Sequence, residues 1–161
     1  MKLLDIIDEA IAKIEKVLIT LLLSLMVLIG FTQVILRNFF ETGLLWADPF
    51  LRYAVLWLAF IGASLATRED RHINIDVLTR LLSPKLKKLS FVVTNLFALV
   101  VCVILLKASI DFIKIEIEFP NDIFLGIKNW QVEMVIPIGF ALMSFRFFVR
   151  ILKLSLIKNI F

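Results

Sequence analysis

The sequence predicts an all-α polytopic membrane protein, with four transmembrane helices, amphipathic interfacial helices and a long tilted third helix. Three observations carry this prediction. Hydrophobic residues make up 61% of the 161 residues, against about 45–50% in a soluble domain. Mean hydropathy is +0.98. The apolar residues also gather into runs long enough to cross a hydrocarbon core of about 30 Å. The length suits one four-helix domain, residues 1–161.

The first element is an amphipathic helix over residues 1–16. Leu3, Ile6, Ile7, Ala10, Ile11 and Ile14 recur at helical spacing, with Asp5, Asp8, Glu9, Lys13 and Glu15 elsewhere. Such a helix suits the membrane interface or the groove of a protein partner. Residues 17–36 form the first span and carry no charge. This apolar run exceeds that of a signal peptide and follows several acidic residues, so it reads as a retained helix.

The second span covers 49–67, with Arg52 near its start. Ile73 to Leu82 suits a short interfacial helix. Ser83-Pro84 then reads as N-cap and first turn of a third helix. No glycine or proline follows until Pro120, so that helix can run to Phe119, about 54 Å at 1.5 Å per residue. It must tilt or project beyond its uncharged part, 89–106. Lys107, Asp111, Lys114 and Glu118 share one of its faces and permit Lys107–Asp111 and Lys114–Glu118 pairs. The fourth span, 130–149, contains Glu133, Pro137 and Arg146. Pro137 removes a backbone bond toward Glu133 and predicts a kink. Arg146, Arg150 and Lys153 share a face that suits anionic phospholipid headgroups.

Lysine and arginine distribution orients the spans. Most of the 18 basic residues lie in the N-terminal segment, the loop from Arg68 to Lys88, and the segment after Arg146. The other two loops carry only Arg37, Arg52, Lys107, Lys114 and Lys128. Both termini are therefore expected in the cytoplasm. The basic residues flank apolar spans and form no soluble patch, which argues against nucleic acid as a partner.

The candidate functional residues flank the second span. Trp46, Asp48 and Arg52 stand at one end, Trp57 lies within it, and Arg68, His72 and Asp76 follow the other end. Charges a turn inside a membrane helix cost free energy and usually have partners. Asp48 can pair with Arg52 four residues on, or cap the helix ahead of Pro49, or touch a ligand. His72 suits an interfacial hydrogen bond. The two polar clusters are a membrane thickness apart, so they are not halves of one site.

Most catalytic chemistry is missing. One histidine excludes bis-histidine haem ligation within the chain, and with one cysteine it leaves too few ligands for a His/Cys zinc site. No cofactor is expected, and the chain does not read as an enzyme. Cys102, in an apolar run, reads as a small buried hydrophobe. Thr32, Gln33, Ser64 and Asn95 read as helix–helix hydrogen bonds. The repeats and paired broken helices of a stand-alone secondary transporter are missing too, which favours a subunit or scaffold. A redox-complex subunit and a self-assembling channel or exporter are the alternatives.

The motifs resemble the small membrane subunit of tripartite ATP-independent periplasmic (TRAP) transporters, the DctQ family. The resemblance rests on Val34-Ile-Leu-Arg-Asn38, Trp46-x-Asp48, Arg52-Tyr53, Trp57, Phe60-Ile-Gly-Ala63, Arg68 and His72-Ile-x-Ile-Asp76. Family members often carry two adjacent acidic residues after the tryptophan. Here the second is Pro49, so Asp48 alone must serve. The resemblance implies a multi-pass protein of a bacterial inner membrane, paired with a larger integral transport subunit. It further implies a periplasmic substrate-binding protein and sodium-coupled uptake of an organic acid, such as sialic acid or a C4-dicarboxylate. The large subunit would carry the substrate and sodium sites. This chain would be its scaffold.

Overall fold

The computed structural model describes residues 2–68, 84–124 and 126–157. The chain runs α1 (Lys2–Phe40), α2 (Ala47–Arg68), α3 (Pro84–Glu118), β1 (Asp122–Phe124), β2 (Ile127–Lys128), α4 (Asn129–Glu133) and α5 (Val135–Ile157). Four helical stretches are long and apolar enough to cross a membrane, the last formed by α4 and α5 together. The expected interfacial helix from Ile73 to Leu82, with His72 and Asp76, lies outside the described residues.

One continuous helix of 39 residues carries the amphipathic start directly into the first span. At 1.5 Å per residue it measures about 58 Å, nearly twice the hydrocarbon core. No glycine or proline interrupts the sequence before Gly30, so the amphipathic start passes into the span unbroken. The helix stops where Glu41 turns left-handed at φ 48°, and the Thr42 amide reaches back to the Leu36 carbonyl at 3.2 Å. Gln33 then fixes the turn into α2. Its Oε1 accepts from the Leu44 amide at 2.9 Å, and its Nε2 donates to the Leu44 carbonyl at 3.4 Å.

The principal packed pairs are α1 with α2, α2 with α5, and α5 with α3. The helices thus form an open row with α2 and α5 inside. Among the spans, the α4–α5 stretch is the most buried, and α1 and α3 are the least. The α3–α5 seam holds Cys102, Met143 and Phe147, with Phe60 of α2 and Phe140 packed against them. Cys102 is therefore a core residue, as its apolar setting predicts. Phe60 meets Phe140 edge-on at 5.2 Å between ring centroids. It also lies against Gly139, where an added Cβ would stand 2.7 Å from the Phe60 ring.

The third helix starts at Pro84 as expected and ends one residue short of Phe119. On its polar face Lys114 pairs with Asp111 at 2.9 Å, three residues back, instead of with Glu118. The fourth span is interrupted, and the break falls at Met134, between α4 and α5. That is one turn before Pro137, where the missing proline amide leaves the Glu133 carbonyl without its helical donor.

The short hairpin between α3 and α4 is not anticipated by the sequence reading. Asp122 pairs with Lys128, and Phe124 with Ile127. Gly126 supplies the turn at φ 77°, a conformation glycine adopts at little cost. Asn129 anchors its base. The Asn129 amide donates to the Asn121 carbonyl at 3.0 Å, its side-chain oxygen accepts from the Asn121 amide at 3.1 Å, and its side-chain NH2 meets Glu116 on α3.

Candidate functional site

The densest polar cluster joins α1, α2 and α5 at the end opposite the hairpin. Arg146 of α5 is its centre. Its Nε donates to Asp8 Oδ1 at 2.9 Å. Nη1 and Nη2 grip the two Glu15 oxygens at 3.2 and 2.7 Å. Nη1 also reaches Ser64 Oγ at 2.7 Å, and Ser64 lies 2.7 Å from Glu15 Oε1. On the far side of Asp8, Arg68 Nε donates to Oδ2 at 2.8 Å. Arg150 closes the cluster by donating to the Thr67 carbonyl at 2.6 Å, a terminal carbonyl of α2 that needs an outside donor.

Geometry and charge explain why this cluster survives burial. The Arg146 and Glu15 side chains are only 4% and 5% exposed. Arg146 lies within the stretch Asn129–Leu152, which is long and apolar enough to cross a membrane. A lone guanidinium there is costly. The planar fork of Arg146 matches the Glu15 carboxylate bidentately, and the pairs Arg146–Glu15 and Arg68–Asp8 balance in charge. Asp8, Ala12 and Glu15 share one face of α1, and Ala12, at 1% exposure, lets α1 approach closely.

Sequence reasoning put these residues elsewhere. It assigned Arg146 to lipid headgroups and Asp8 and Glu15 to a polar interfacial face. The structure corrects both, because helix packing buries them against one another. A signal existed: Arg146 is a charge inside an apolar span, and Asp8 and Glu15 are acids seven residues apart on one helical face. Arg68, chosen from sequence, does enter the cluster.

The opposite end holds the other expected residues. Asp48 does not pair with Arg52. It faces Arg37 of α1 at 3.4 Å, both side chains being more than half exposed. Nor does it cap α2, which begins at Ala47 and leaves Asp48 in its first turn. There the carboxylate still favours the positive end of the helix dipole. Arg52 is exposed and makes no ion pair among the described residues. Trp46 stacks edge-on with Phe50, centroids 6.2 Å apart. Trp57 does more. Its indole N–H donates to the Val132 carbonyl at 2.7 Å, beside the break at Met134. Tyr53 adds a 3.4 Å contact to Glu133. Together they tie α2 to the interrupted span.

Of the four interior polar residues, Ser64 alone bonds across helices. Thr32 and Asn95 donate to carbonyls of their own helices, and Gln33 holds the α1–α2 turn.

The site is thus built to join helices. No group of three or more His, Cys, Asp or Glu residues that could hold a metal occurs among the described residues. The sequence profile described as "Tripartite ATP-independent periplasmic transporters, DctQ component" matches residues 26–156. The chain belongs to the DctQ family. It is 29% identical to the C4-dicarboxylate TRAP transporter small permease protein DctQ of Pseudomonas aeruginosa, over 88% of this chain and 84% of that protein. The protein of the same description from Vibrio cholerae is 28% identical over 83% and 68%. The sialic acid TRAP transporter permease protein SiaT of Haemophilus influenzae is 27% identical over 71% of this chain, a stretch that covers 18% of SiaT. This DctQ-family chain is a small permease subunit of a TRAP transporter and a multi-pass membrane protein.

Proposed function

We propose that the chain is the membrane scaffold of a sodium-coupled TRAP transporter in a bacterial inner membrane, with both termini in the cytoplasm. It holds a larger integral subunit, which carries substrate and sodium, while a periplasmic binding protein delivers an organic acid. A C4-dicarboxylate and sialic acid are the leading substrate candidates, because they name the transporters of the relatives.

One observation carries the scaffold reading. The buried pairs Arg146–Glu15 and Arg146–Asp8 lock α1 to α5 and Arg68–Asp8 adds α2, while the outer helices α1 and α3 keep broad apolar surfaces open. Transport sites need polar groups converging near the bilayer midplane. Here the polar clusters stand toward the two ends of the spans and serve helix contacts. The match to a minor part of the longer SiaT permease supports a place beside a larger permease.

Reconstitution tests this directly. Proteoliposomes with the large subunit, this chain and the binding protein should accumulate one of the two acids under an inward sodium gradient. Leaving out this chain should abolish uptake, and replacing sodium by potassium should do the same. Full uptake without the chain overturns the proposal.

A further inference from the structure

Beside the ionic cluster lies a cleft of about 100 Å³ between the ends of α2 and α5. That is the volume of roughly three water molecules at about 30 Å³ each, the scale of one phosphate group. Its polar wall is Arg68, Arg146, Arg150 and Asp8, and its apolar wall is Phe145 and Val149. Three arginines thus line this small space with a single carboxylate, and Glu15 neutralises Arg146 from outside it. Arg146, the most buried of them, is committed to Glu15, Asp8 and Ser64. Arg68 and Arg150 are only partly buried; Arg68 Nε bonds Asp8 and Arg150 Nη2 bonds the Thr67 carbonyl.

We infer that this cleft binds the phosphate headgroup of an anionic phospholipid. Guanidinium forks suit phosphate oxygens. The apolar surroundings select a lipid over a free anion. Phe145 and Val149 line the cleft, and the exposed Phe148 and Leu152 continue the apolar surface of α5 beside it. A headgroup seated on Arg68 and Arg150 would lay its acyl chains along that surface. The headgroup contact expected for the Arg146 face thus moves to Arg68 and Arg150. The inference does not depend on what the assembly transports.

Native mass spectrometry of the chain, purified from nanodiscs holding equal amounts of phosphatidylglycerol and phosphatidylcholine, tests it. The wild-type chain should retain phosphatidylglycerol preferentially. Arg150→Gln should lower that preference by about tenfold, the weight of one charge-assisted hydrogen bond. Arg150→Lys should keep part of it, and Arg37→Gln, at the other end of the molecule, all of it. No preference in the wild type, or equal losses for Arg150→Gln and Arg37→Gln, would overturn the site. So would inorganic phosphate raising the melting temperature as much as phosphatidylglycerol does, since the ligand would then be a free anion. Should Arg150→Gln not fold, the wild-type preference and its partial retention in Arg150→Lys decide the matter.

Discussion

At the residue scale, Arg146 has the largest leverage. Its pairing with Glu15 is buried, and removing one member of a buried pair costs about 3–5 kcal/mol because the other charge is stranded. Arg146→Leu should therefore destabilise the chain by that amount in reversible unfolding in micelles, and Arg146→Leu with Glu15→Leu should recover much of the loss. A double variant as unstable as the single one would deny the stranded-charge account. The exposed Arg37–Asp48 pair is the contrast. Surface pairs contribute about 0–1 kcal/mol, so Asp48→Asn should barely move stability, and 1 M salt should erase even that. Gly139 gives a purely steric case. An added methyl would stand 2.7 Å from the Phe60 ring, and overpacking costs about 1–3 kcal/mol. Gly139→Ala should lower the melting temperature, and Phe60→Leu in that background should restore part of it. None of these partners is visible in local sequence. Arg52, four residues from Asp48, looked the better match by spacing, yet the turn held by Gln33 brings Arg37 to Asp48 instead.

At the element scale, the long uninterrupted helices were the most legible. Ser83-Pro84 and Pro120 bracket α3 closely, because proline rules act locally. The amphipathic start and the first span run on as one helix. An amphipathic segment and an apolar one differ in environment but share the same backbone preference. The break in the fourth span was half legible: Pro137 announced it, while its position at Met134 depends on the groups that donate to the carbonyls beside it. Trp57 is one of them. Trp57→Phe keeps the ring and deletes the donor to Val132, and should cost about 0.5–1.5 kcal/mol in chemical denaturation. The end of α1 allows a prediction of opposite sign. Glu41 holds a left-handed conformation at φ 48°, which costs a non-glycine residue about 1 kcal/mol. Glu41→Gly should stabilise the chain by a few tenths to about 1 kcal/mol in the same assay. A loss of stability would mean that the Glu41 side chain contributes more than its backbone strain.

At the scale of the whole molecule, the open row of helices matters most. Val27 of α1 is 68% exposed and Phe97 of α3 is 70% exposed, so both outer helices offer apolar surface in the isolated chain. A fluorophore on Val27→Cys or Phe97→Cys should be quenched by brominated lipid in the chain alone. Adding the large subunit should protect at least one of the two positions. Lipid access at both, unchanged in the assembled transporter, would remove these helices from the interface. The sequence made the row's membership legible but not its order, since packing partners are set by side-chain fit between distant segments. The buried cluster also has a consequence in time. Glu15 and Arg146 are separated by 131 positions along the chain, and α1 emerges during synthesis long before α5. Until α5 arrives, the acids of α1 lack the guanidinium that neutralises them. The ion pairs between α1 and α5 can therefore close only after α5 has been made.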